Sequence, residues 1–385
     1  MIKTNIKFWA GVEYKDKLYA VSPQINGLFQ LDLATKEMTY IKKFLKEESP
    51  LEIYWNAYLY KKEAWFTPGK GKYIAVVNLE TFDIRYYDLP FIRRNNMDKL
   101  IIQSVYYSGG IINKRFLYLI PSNVDTLLLI DLEKKQFYPF YDVAKPKECL
   151  IYGCYFNQKI YMIPYIGKEL VVVNLHTKQI ERYPWKWPFE TFTGFISYKN
   201  RLWLIPGRAN FLLSLDIHLK ETEKIPLGAY YTTNQMYYEA FIIDDDLFML
   251  PFSSSKMLKY NIRSKHFFQI DLRQNWLKRN KITLKKMSTT NRIILTEESG
   301  HMLLIYDKER ESLEKIELSI DTKFLLQNLN RNDIIKISEF YNSDCYLENS
   351  IGLQNFFEII AEPHIAEKKE FFENIGAKIW KGIHT

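Results

Sequence analysis

The sequence predicts an all-β protein: a seven-bladed β-propeller of four-stranded blades followed by a short C-terminal α-helical tail. Three observations carry that expectation. Aromatic residues make up 16% of the 385 residues, with 28 Tyr and 25 Phe, and such side chains suit the pleated surface of strands. An aromatic precedes an Asp or Asn by thirteen residues again and again: Tyr19–Asp32, Trp65–Asn78, Tyr118–Asp131, Tyr161–Asn174, Trp203–Asp216 and Phe248–Asn261. A seventh copy, Ile294–Asp307, keeps the spacing without the aromatic. The acid or amide then recurs at intervals of 42 to 53 residues, and a fixed period of that size marks a repeat architecture.

One copy shows the elements in order. In residues 150–185 an apolar segment from Leu150 to Phe156 meets a turn at "NQK". A second segment, "IYMIP", ends at Pro164, and after a short loop the third, "ELVVVN", is continuously apolar. "HTKQ" turns the chain into a fourth, "IERYPW". Four short strands separated by turn residues follow. The third reads as buried on both faces and the fourth as an edge.

Proline closes the second strand in Pro68, Pro121, Pro164, Pro206 and Pro251, a position where the missing N–H donor costs no ladder bond. The recurring Asp or Asn ends the third strand, as in "DLATKE" and "NLHTKQ". Its side chain can accept from backbone N–H groups two residues on and fix the turn. A residue type present in nearly every copy is expected to hold the fold and not to form a single active site.

A lone four-stranded sheet leaves both faces bare, whereas copies stacked into a ring bury them and leave short edges. The expected blades are 8–44, 53–89, 101–143, 150–185, 190–228, 237–272 and 283–319, within a propeller spanning 1–319. Residues 320–385 break the pattern. Ile351, Leu353, Phe356, Phe357 and Ile360, then Ile365, Phe371, Phe372, Ile375, Ile379 and Trp380, fall near helical spacing. Two amphipathic helices packed on the propeller, or docking a partner protein, are expected there.

The cadence of "KLYAVSP…LFQLDLATKEMTY" and "RLWLIPG…LLSLDIHLKETEK" resembles Kelch-type and related bacterial seven-bladed propellers over roughly residues 8–319. The resemblance implies binding or scaffolding more often than catalysis. The Kelch double glycine on the second strand is absent. Gly109–Gly110, the one such pair, is expected in a loop.

Bulk properties narrow the partners. No apolar run is long enough for a signal peptide or a membrane helix, so a cytoplasmic protein is expected. Cys149, Cys154 and Cys345 lack the spacing of a disulfide framework or a thiolate zinc site. Net charge is +8; residues 320–385 carry seven Lys/Arg against ten Asp/Glu, so the rest is more basic still. A basic body suits an anionic partner. Without a basic stripe or a recognisable module, nucleic acid is not that partner. No metal or other cofactor is expected, and the propeller is expected to be monomeric.

Loops between second and third strands, and those joining blades, should crowd one mouth of the channel, the default ligand site. They supply Lys72, Tyr165, Lys168, Arg208, Trp185, Trp187, Tyr230 and Tyr231. Aromatic faces suit sugar rings, and Arg or Lys suits carboxylate or phosphate. An anionic sugar, glycan or nucleotide-sugar is the expected ligand of a non-catalytic binding or scaffold protein. The alternative is a carbohydrate-active enzyme with carboxylates at the mouth, Glu190 and Glu239 being the catalytic candidates.

Overall fold

The computed structural model describes residues 3–23, 25–47, 53–69, 71–89, 106–187, 191–231, 237–252, 254, 256–272, 284–288, 292–297, 301–307 and 312–321. The expected helical tail lies outside the described residues. The one helical element among those described is a single 3-10 turn, Gly228–Tyr230.

Residues Ile6–Leu318 form one compact unit of seven antiparallel sheets, each built from four strands consecutive in sequence. The innermost strands are Ala10–Tyr14, Tyr54–Tyr60, Tyr107–Asn113, Cys149–Phe156, Phe192–Tyr198, Tyr237–Ile243 and Leu284–Ser288. They open blades 1 to 7 in that order. The architecture is therefore all-β, a seven-bladed propeller of four-stranded blades. In a separate unit, Lys3–Asn5 pairs antiparallel with Ser319–Asp321.

The thirteen-residue offset spans a hairpin of second and third strands. Glu63 faces Asn78 and Phe116 faces Asp131 across that pair, so the aromatic two places on lies mid-strand. Tyr19, Trp65, Tyr118, Tyr161, Trp203, Phe248 and Ile294 are all buried. Several meet a ring of the following blade: Tyr118 stacks on Tyr155 at 6.2 Å and Trp203 meets Tyr260 at 6.0 Å. Burying such a side chain contributes roughly 1.5–3 kcal/mol, and each copy fills the gap between two sheets.

The recurring acid or amide fixes the next turn. Asp32 Oδ1 accepts from the Ala34 and Thr35 N–H groups at 2.9 and 3.0 Å. Asn78, Asp131, Asn174 and Asp216 each accept from two following backbone N–H groups. Turns between first and second strands use left-handed pairs such as Asn157–Gln158 and Lys199–Asn200, whose twist matches that of the flanking strands.

Gly109 and Gly110 lie on the innermost strand of blade 3, which corrects the expected loop. The reason is a close approach: a Cβ on Gly110 would sit 2.7 Å from the Tyr58 hydroxyl of blade 2.

Blade 7 meets blade 1 through side chains. Thr296 Oγ1 donates to the Phe8 carbonyl at 2.7 Å. Arg292 pairs with Asp16 at 3.2 Å, and Lys36 of blade 1 with Glu314 at 2.8 Å. Between blades 1 and 2, Glu80 accepts from Lys15 and Tyr14 across the gap and from Lys62 of its own blade.

Candidate functional site

Side chains of the innermost strands pack into the gaps between neighbouring blades, and their middle positions are partly exposed, in blade 2 from Trp55 through Tyr60. A cavity of about 420 Å³ runs along these strands on blades 1, 2, 3, 6 and 7, within the size range of small-molecule pockets. Its lining includes Trp9, Asn56, Tyr58, Glu239, Lys285 and Lys286.

Backbone register explains the convergence. Asn56 pairs with Thr67, Glu239 with Leu250 and Lys285 with Thr296. Each partner directly precedes the residue that closes its second strand, Pro68, Pro251 or Glu297. The three polar side chains thus occupy one level of three blades. In blades 2 and 6 a bulge before this level, between Tyr54 and Asn56 and between Tyr237 and Glu239, shifts which residue faces which way.

Each group has a defined environment. Glu239 Oε2 accepts from the Lys286 backbone N–H at 2.9 Å, so its carboxylate is held toward blade 7. Lys285 reaches past blade 1 to donate to the Trp55 carbonyl, its ammonium 4.8 Å from the Trp55 ring centroid. The Trp9 ring meets Trp55 edge-on at 4.5 Å. Lys286 Nζ lies 5.9 Å from the centroid of Phe241. The Gly110 N–H donates to the Tyr58 hydroxyl. Burial, with the nearby Glu239 charge, pushes the Tyr58 phenol far above its ordinary pKa, so it stays a neutral O–H donor. The Trp9 indole Nε1 is buried without an acceptor among the described residues.

Of the candidates read from the sequence, Glu239 lines this cavity; Glu190 lies outside the described residues. The rim candidates distribute over three blade boundaries. Trp185, Trp187 and Tyr165 pack against the apolar core shared by blades 4 and 5. The Trp185 and Trp187 rings meet at 4.9 Å, and Trp187 meets Phe192 at 5.2 Å. The exposed Lys168 gives its carbonyl to the Trp185 N–H at 2.8 Å. Tyr230 and Tyr231 pack at the boundary of blades 5 and 6, where the Tyr231 hydroxyl donates to the carbonyl of the exposed Arg208. Lys72 is exposed, and its N–H donates to Glu47 at 3.1 Å.

Sequence reasoning did not single out Trp9, Asn56, Tyr58, Lys285 and Lys286, which belong to the lining of this cavity. A usable signal was present in blade 7: "LKK" (284–286) sets two lysines on an innermost strand, and charge is out of place there unless the strand lines a solvated channel. Among the described residues no group of three or more His, Cys, Asp or Glu is disposed to hold a metal ion. No described helix is long and apolar enough to cross a membrane.

No family profile and no curated sequence matches the chain. Solved structures do share the fold. A catalytically inactive virginiamycin B lyase from Staphylococcus aureus, with quinupristin, is 11% identical with a TM-score of 0.59, covering 82% of this chain and 98% of that one. A streptogramin B lyase is 11% identical with a TM-score of 0.56, covering 82% and 94%. YCF48 bound to D1 peptide is 9% identical with a TM-score of 0.58, covering 79% and 92%. At such identities the likeness is one of fold, and it supports a seven-bladed β-propeller.

Proposed function

We propose that this protein is a non-catalytic binding propeller that holds a small anionic ligand in its central channel. The observation that carries the reading is the placing of Lys286 beside Asn56 and Trp9 in the lining of one cavity on the innermost strands. Propellers of similar fold include both lyases and a peptide-bound protein, so fold alone selects neither class.

The enzyme alternative requires two acids across the channel. Among the described residues the lining contributes one carboxylate, Glu239. The Kelch-like cadence belongs to this proposal as a mark of scaffold and binding propellers. A cytoplasmic setting belongs to it too, in keeping with Cys149 and Cys154 as buried free thiols.

The test is a tryptophan-fluorescence titration of the full chain with sugar acids, amino acids and simple carboxylates, each beside its neutral counterpart. A saturable change with at least one anion, weakened by Lys286→Gln, is expected. Titrations flat for every anion would overturn the reading.

A further inference from the structure

The cavity has two ends of different chemistry. Trp9, Asn56, Glu239, Lys285 and Lys286 lie toward the ends of the strands where the chain enters each blade. Further along the same strands the lining becomes Val12, Leu59, Ile112 and Met287. Asn56 and Leu59 are three residues apart on one strand, about 10 Å at the strand rise. Ile112, part of the same lining, keeps 38% of its surface exposed.

A sugar acid would meet the polar end but leave the apolar end wet, because every ring carbon bears a hydroxyl or ether oxygen. An acid with a hydrocarbon tail covers both. The polar end also offers both charges. Lys286 supplies an ammonium group, whereas Glu239 supplies a carboxylate fixed from behind by a backbone N–H. Lys285 is already engaged with Trp55. A ligand head carrying one carboxylate and one ammonium meets both without leaving an uncompensated buried charge.

We infer that the channel takes an α-amino acid with an aliphatic or aromatic side chain. Its carboxylate lies on Lys286, its ammonium on Glu239, and its side chain against Leu59 and Ile112. This inference rests on the reading of the channel as a binding site and names the ligand class.

The test is isothermal titration of the full chain with L-phenylalanine and L-leucine. 3-Phenylpropionate, which lacks the ammonium, and phenethylamine, which lacks the carboxylate, serve as comparators. D-glucuronate is the sugar-acid probe. Both amino acids bind, and each comparator is at least about tenfold weaker. Lys286→Gln removes discrimination against phenethylamine, and Glu239→Gln removes discrimination against 3-phenylpropionate. Leu59→Asp weakens both amino acids; circular dichroism establishes that each variant is folded. Saturable binding of D-glucuronate with none of the amino acids would overturn the ligand class and leave the channel reading standing. No binding by any probe would overturn the inference, and the broader anion titration then decides the channel reading.

Discussion

Lys285 of the seventh blade lies over the indole of Trp55 of the second, 4.8 Å from its centroid, and donates to the carbonyl of that same residue. The contact passes the whole of blade 1, whose Trp9 completes the group by packing edge-on against Trp55. Blade 7 also packs closely on blade 1: a Cβ on Gly11 would lie 2.5 Å from the Met287 methyl.

Lys285→Met is expected to destabilise the propeller by about 1–3 kcal/mol, from one charge-assisted hydrogen bond and one partly buried cation–π contact. Lys285→Arg should recover part of the loss, since a guanidinium keeps both interactions. Urea denaturation followed by tryptophan fluorescence checks this; an unchanged midpoint in the Met variant would remove the contact from the account of ring closure.

Trp187→Ala is expected to cost about 2 kcal/mol, because the indole fills a cleft against Trp185 and Phe192 and its loss leaves a partial void. Channel ligands should bind this variant as they bind the parent. Weaker binding at unchanged stability would return the site to the rim.

Asn174→Ala should destabilise by about 1 kcal/mol, since two backbone N–H groups lose their acceptor. Asn174→Asp should be tolerated, because Asp fills the same role in blades 1, 3 and 5. Thermal melts of both variants decide the point.

Glu80 ties blades 1 and 2 together, and the pH dependence of that tie has a definite sign. Hydrogen bonds from Lys62, Lys15 and Tyr14 hold its carboxyl down to about 2 from an ordinary 4.5. The folded state therefore binds the proton less well than the unfolded state. The stabilisation is fully present above about 4.5 and is lost as pH falls toward about 2. Parent and Glu80→Gln should differ in melting temperature at neutral pH and converge in acid. Because the group is exposed, the difference is small and shrinks in high salt.

The architecture could be read from the chain because it is written seven times. Each thirteen-residue offset is one hairpin, each Pro one strand exit, each Asp or Asn one pinned turn, and repetition turned weak local preferences into a ring. The site was harder to read because it depends on differences between blades. Trp185 and Trp187 read as a ligand platform in sequence, and in the structure the two rings also pack, partly buried, against the core shared by blades 4 and 5. Asn56 and Glu239 are displaced by bulges after Tyr54 and Tyr237, which an alternating pattern does not register. Gly109–Gly110 reads as a loop, and the cause of Gly110 is the Tyr58 hydroxyl of another blade, 52 residues earlier in the chain.

Since the sheet of each blade is one uninterrupted stretch of polypeptide, the chain can be rewired without dismantling a blade. Asn5 and Ser319 are already strand partners, so a short splice could join those segments while new termini were cut between any two sheets. Such circular permutants should fold into the same ring. Those cut between blades 3 and 4, far from Lys285 and Trp55, would make the old seam internal to the chain and free that ion–ring contact from its task.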